Sequence, residues 1–126
     1  AILDGLADGT IDAIATDHAP HEPERKRVAM DDAAFGIVGL ETMLPVSLTA
    51  LYHSGTMPLR DVIAAMTYKP ADIIHVEAGR LAVGAPADLT LIDLDHTWHI
   101  DPAQFQSKSK NSPYDGAPVK GRVLRT

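Results

Sequence analysis

The densest set of reactive side chains in this sequence is Asp17-His18-Ala19-Pro20-His21. Carboxylate and imidazole are the donors that a borderline cation such as zinc takes, and a carboxylate near a water can act as general base. Immediately before it, residues 10–16 (TIDAIAT) form a short, mostly apolar, β-prone run. This predicts a buried strand of a parallel sheet with both faces covered. In α/β barrels the loops after the C-terminal ends of the strands build the active site, so an acid at that junction sits where catalytic groups occur. A plainer arrangement also fits, an Asx-type turn in which the Asp17 side chain caps the backbone while His18 and His21 face solvent. Spacing alone leaves both open.

The elements that must hold this cluster follow from periodicity. Residues 17–38 mix charges with Pro20, Pro23 and Gly36 and include the run EPERKR at 22–27. This predicts a long loop, functional or mobile, whose individual charges are solvated and whose residues 24–32 are least ordered and close as a lid over a substrate. Leu40, Leu44, Leu48 and Leu51 recur at helical spacing and predict a core-facing helix ending near Gly55, with Pro45 in its first turn. Pro58 is expected at the first position of a second helix, where Leu59, Val62, Ile63 and Met66 share a face and Met57 and Met66 are core packing. A short helical piece from Pro70 to about Val76 follows. The pattern then turns β at residues 80–83 and 88–93, with turns at Gly79 and at Gly84-Ala85-Pro86. His96, Trp98 and His99 read as packing or surface. The expected division is residues 1–76, an α/β unit, and 77–126, part of a separate β unit.

Composition narrows the function. A length of 126 residues with 45% hydrophobic side chains can build one core. A net charge of −6 and a pI near 5.3 argue against a phosphate-binding surface, so nucleic acid is not an expected partner. With no cysteine, any metal must be held by His or carboxylate, and the absence of disulfides suits a reducing cytoplasm. No apolar run reaches the roughly 20 residues that cross a bilayer, so no membrane is expected. Ala1 is not a start methionine, and residues 2–9 read as the last turns of a helix ended by Gly9, so the chain is expected to begin inside a longer protein.

Four segments carry a resemblance to a known family. Residues 15–21 (ATDHAPH) resemble the Asp-x-Ala-Pro-His segment at the eighth barrel strand of dihydroorotases of the bacterial type I form, within the amidohydrolase superfamily. Residues 35–42 (FGIVGLET) resemble that family's loop-to-helix segment, and residues 107–116 (SKSKNSPYDG) its near-terminal SKSxNxPFxG segment. Residues 79–89 (GRLAVGAPADL) are similar to a turn-and-strand shared by many amidohydrolases. The resemblance implies a fold, the C-terminal portion of a (β/α)₈ TIM barrel (last strand and helices) at 1–76 and part of a small β-sandwich tail at 77–126. It implies an activity, zinc-dependent opening and closing of the cyclic amide of dihydroorotate, reversible with N-carbamoyl-L-aspartate, in pyrimidine biosynthesis. It also implies roles. Asp17 binds the catalytic metal and shuttles a proton, His21 binds the substrate carboxylate, and backbone groups around Phe35 and Gly36 hold the ring. His18 falls at a variable position and receives no role. Lys108 and Lys110 offer an anion contact, with a solvated loop as the plainer account.

A complete barrel takes about 250 residues, more than this chain has. One or two Zn²⁺ ions are expected, with the remaining ligands outside the chain, which alone is expected to be inactive. The end at Thr126 reads as premature, so the chain is expected to be a fragment or a proteolytic remnant of a longer enzyme. Helices stripped of their barrel are expected to expose the apolar faces of Leu44, Leu48, Leu51, Val62 and Ile63. Expected partners are the small-molecule substrate, the missing N-terminal half of the same protein, and a second copy or aspartate transcarbamoylase. Two rivals are a hydantoinase- or allantoinase-like enzyme and an inactive dihydroorotase-like scaffold for aspartate transcarbamoylase.

Overall fold

A computed structural model describes all residues, Ala1–Thr126. The order of elements is α1 (Ile2–Asp8), α2 (Pro23–Lys26), α3 (Met43–Ser47) running into a π-helical turn (Leu48–Tyr52), α4 (Leu59–Met66), α5 (Tyr68–Ile73), β1 (Leu91–His99), a 3₁₀ turn (Pro102–Gln104) and β2 (Pro118–Arg125). The chain is therefore α/β. Helix α1 stops where the spacing predicts, at Gly9, whose φ of 83° is the left-handed cap that glycine adopts freely.

The helical leucines build one hydrophobic cluster. Leu48, Leu51 and Val62 are buried with Leu6 and Met57, and Ile11, Ile14, Leu44, Leu59, Met66, Ile92 and Leu94 pack around them. The expectation that Leu48, Leu51 and Val62 lie exposed is thus corrected, because α1, α4 and the start of β1 close over them. Leu40 departs in the other direction. It is 62% exposed, because the helix begins only at Met43, after a turn in which Thr42 and Met43 donate to the Gly39 carbonyl. Pro45 lies in the first turn of α3 as predicted, Pro58 precedes α4 as its cap, and α5 begins two residues before Pro70. Past Ser47 the helix widens, with the His53 amide donating to the Leu48 carbonyl at 2.8 Å, five residues back.

A second cluster, Val38, Ile100, Phe105 and Val119 with Val46, Trp98 and Tyr114 against it, lies under the sheet. That sheet has two antiparallel strands, β1 and β2, with Trp98 opposite Val119 and a register shift between Asp93 and Thr97. It is stitched to the helices by Thr49, whose hydroxyl donates to the Pro45 carbonyl at 2.7 Å and accepts the Lys120 amide at 2.9 Å.

Three β expectations change. Residues 10–16 form no strand ladder, and the one ladder contact nearby is a parallel bridge between His18 and Ile37. Residues 80–83 are exposed and form no strand, and the strand expected over 88–93 runs instead over Leu91–His99. The shared reason is that a strand needs an edge to pair with. Leu91–His99 finds one in β2, whereas residues 10–16 and 80–90 meet none. Large apolar side chains of the latter segment, Leu81 and Val83, stand in solvent together with Ile73, Ile74 and Met30.

Candidate functional site

Three segments distant in sequence, 16–21, 35–42 and 105–111, meet at one place. Segments 16–19 and 36–39 lie back to back, joined by the Ala19 amide donating to the Ile37 carbonyl at 2.8 Å. Two glycines permit that approach. A Cβ at Gly39 would stand 2.9 Å from the Thr16 carbonyl oxygen and 3.0 Å from the Thr16 Cβ. At Gly36 a Cβ would run into that of Ala19, and the φ of 96° is one that other residues adopt only with strain.

Asp17 stands on this seam with a φ of 43°, one of two non-glycine residues in the left-handed region, the other being His75. Aspartate tolerates that conformation better than most residues, through local hydrogen bonds of its carboxylate. Here the carboxylate makes none within the chain, so the capping Asx turn is not what forms, and both oxygens point at no internal partner. Strain held at an exposed acid is characteristic of functional positions.

The two histidines act differently. His18 Nδ1 accepts the amides of Gly39 (3.1 Å) and Leu40 (3.4 Å), which fixes the proton of the neutral ring on Nε2. The residue to which the sequence assigned no role therefore anchors the loop-to-helix segment. His21 Nε2 contacts the Phe35 carbonyl, and as that oxygen only accepts, the ring donates from Nε2. A neutral His21 then offers only an acceptor at Nδ1. Binding a carboxylate requires either the imidazolium, with Nδ1–H as a second donor, or release of Phe35.

The Phe35 side chain is 91% exposed, and the Phe35 and Gly36 amides donate to nothing in the chain, leaving two N–H groups available beside Asp17's seam. The Gly36 carbonyl is by contrast doubly held, by Lys26 Nζ at 3.1 Å and Asn111 Nδ2 at 3.3 Å. Lys26 also donates to the Ala34 carbonyl at 2.7 Å. Its place in the run EPERKR predicts a solvated charge, and the structure corrects this: the ammonium folds inward to close the loop. The third segment is fastened by Glu41, whose carboxylate accepts the Gln106 (2.9 Å) and Ser107 (3.1 Å) amides, and by Lys110, which donates to the Phe105 carbonyl at 2.6 Å. Glu41 and Asn111 fall in the segments 35–42 and 107–116 that carry the resemblance, whereas no spacing signal marks Lys26.

The donor set for a metal is incomplete. No group of three or more His, Asp or Glu side chains converges anywhere in the chain, so Asp17 fits one position of such a site and no more. A separate groove between α4 and residues 76–90, lined by Met43, Ile63, Met66, Leu81 and Leu89, includes none of Asp17, His21, Phe35 or Gly36. No helix is long and apolar enough to cross a membrane.

Known proteins resemble this chain along its whole length. The chain is 60% identical over 126 residues to a dihydroorotase of Wolbachia sp. subsp. Drosophila simulans (strain wRi) and 51% identical over 127 residues to one of Lactiplantibacillus plantarum. Each alignment covers the whole chain but only 28% and 30% of the relative, so the chain spans less than a third of these proteins. Among solved structures, an L-hydantoinase (dihydropyrimidinase) from Arthrobacter aurescens superposes with a TM-score of 0.90 at 38% identity, covering 98% of this chain and 28% of that one. A D-hydantoinase from Bacillus sp. AR9 superposes at 0.89 with 19% identity, covering 98% and 28%, a likeness of fold alone. These neighbours imply a TIM-barrel-type fold. Because the amidohydrolase family profile matches residues 1–124, nearly the full length, this chain belongs to the amidohydrolase family.

Proposed function

We propose that the protein of which this chain is a part is a dihydroorotase, hydrolysing the cyclic amide of dihydroorotate to N-carbamoyl-L-aspartate and running the reverse reaction in pyrimidine biosynthesis. The observation that carries this reading is the unpartnered Asp17 carboxylate, held at a left-handed φ of 43° beside His21, Phe35 and Gly36, in a chain up to 60% identical to dihydroorotases. Residues 1–76 are assigned to the end of the barrel and 77–126 to part of a β-sandwich. The antiparallel β1–β2 pair within 77–126 and the helices within 1–76 support that division, although Ile92 and Leu94 pack on the helical cluster.

In the hydrolytic direction the water oxygen bonds to the amide carbonyl carbon and the ring C–N bond breaks. Asp17 takes the proton the water sheds and delivers it to the departing ring nitrogen, leaving a carboxylate and a ureido group. His21 binds the substrate carboxylate, and the free Phe35 and Gly36 amides face the ring carbonyls. Zn²⁺, with Asp17 as one ligand and the others outside this chain, is the proposed cofactor, supplying Lewis acidity and a water more acidic than in bulk. The proposed setting is the cytoplasm.

A hydantoinase-like activity is the second reading, favoured by the 38% identity to the Arthrobacter aurescens enzyme. Steady-state assays of the complete protein with dihydroorotate, hydantoin and dihydrouracil separate the two. A kcat/KM for dihydroorotate at least tenfold above the others is expected. Preference for hydantoin would replace the reading, and no turnover of any cyclic amide would favour the scaffold role.

A further inference from the structure

Asn111 is tied to both other segments of the site. Its Oδ1 accepts the His21 amide at 3.3 Å, its Nδ2 donates to the Ala19 (2.9 Å) and Gly36 (3.3 Å) carbonyls, and its own carbonyl accepts the Val38 amide at 3.1 Å. The side-chain bonds span 75 to 92 residues of sequence. The amide orientation is fixed by its neighbours, since the flipped head would place oxygen against two carbonyls and nitrogen against an N–H. One acceptor and two donors on a planar head are what an amide supplies. Aspartate lacks the donors, serine lacks the reach, and glutamine is one methylene too long for the same geometry.

We propose that Asn111 is a positioning residue for substrate binding, setting the distance between His21 and the Phe35-Gly36 backbone. This rests on the reading that these two groups meet the substrate. Asn111 touches neither Asp17 nor a reacting atom. It bridges the two walls of the binding site at the backbone of His21 and the carbonyl of Gly36, so losing it lets the walls drift apart while the proton-transferring carboxylate stays in place.

The test uses the complete protein with Asn111→Asp, which keeps the shape and the acceptor but turns an oxygen toward two carbonyls, and Asn111→Ala, which removes the whole bridge. Expected for both is a KM for dihydroorotate raised roughly tenfold, the scale of leaving such carbonyls unpaired, with kcat within about threefold of the parent. Amide exchange should accelerate in peptides covering 17–22 and 35–39 and stay unchanged in α4. A KM within twofold of the parent in both variants would overturn the proposal. So would a fall in kcat at constant KM, or accelerated exchange reaching α4, the mark of a general folding role. If the parent enzyme prefers hydantoin, the dihydroorotase reading fails separately. The same KM comparison then runs on hydantoin, and the exchange measurement needs no substrate.

Discussion

Replacing Gly36 by alanine in the complete protein probes the contact between segments 16–19 and 36–39 with one methyl group. Two costs arise there. A left-handed backbone costs a residue with a Cβ roughly 1–2 kcal/mol. The new Cβ also meets the Ala19 Cβ, and forcing a methyl into an occupied space costs typically about 1–3 kcal/mol. Gly55 provides the control. Its φ of 77° is similarly left-handed but nothing lies within 4 Å of an added Cβ, so Gly55→Ala carries strain alone. The excess of Gly36→Ala over Gly55→Ala is therefore about 1–3 kcal/mol. The cheapest relief is for residues 35–36 to swing away from Ala19, breaking the His21–Phe35 contact and the bonds from Lys26 and Asn111 to the Gly36 carbonyl. The excess should then surface as a KM roughly 5- to 150-fold above that of Gly55→Ala, at about 1.4 kcal/mol per tenfold. Steady-state kinetics of both variants, with thermal melting alongside, supply the measurement. Equal KM and equal melting shifts in the two would refute the close approach on which the site geometry depends.

Asp17→Asn in the complete protein keeps the shape but cannot take a proton, so kcat should fall at least roughly a hundredfold at fixed zinc content, and near-parental kcat would remove Asp17 from the chemistry. His21→Ala should instead put most of its penalty into KM, a split read from the same assays. The 126 residues expressed alone should bind no stoichiometric zinc by elemental analysis, because Asp17 is one donor where a site needs three or four. Hydrogen bonding from the Thr10 side chain and backbone holds the Asp8 carboxyl below its usual range. Its stabilising contribution is then complete above the ordinary carboxyl value near 3.9 and lost as pH falls through the lower folded value. A carboxyl NMR titration of Asp8 should show a depressed midpoint that moves back toward the ordinary value in Thr10→Ala.

What could be read from the residues was what local chemistry dictates. Gly9 as a helix cap, Pro45 in a first turn and the burial of Leu48, Leu51 and Val62 on one helical face follow from spacing, Asp17 and His21 stand out by type, and Gly36 was marked by the resemblance. The strands were legible only where a partner exists. Residues 10–16 have the composition of a strand without an edge to pair with, whereas 118–125, broken by Gly121, pairs with β1 and was not foreseen. The π-helical turn also escaped, and so did the contact its Thr49 makes with β2, between residues 71 positions apart.

The same distinction explains why the site's anchors were hidden while its candidate acid was visible. A residue suited to chemistry advertises it by type, as an acid beside two histidines does. A residue that holds geometry does so through backbone groups, which every residue has. Hence Lys26 looked like one more surface charge and His18 like a variable neighbour, while Asn111 was marked only as one position of the SKSxNxPFxG-like segment, yet each ends on a main-chain amide or carbonyl of the opposing segment. Satisfying those groups internally also has a consequence for Asp17. With Lys26 and Asn111 engaged on the scaffold and His18 Nδ1 turned to the Gly39 and Leu40 amides, none of these anchors donates to the Asp17 carboxylate. Both of its oxygens are left free to accept a hydrogen bond or meet a cation.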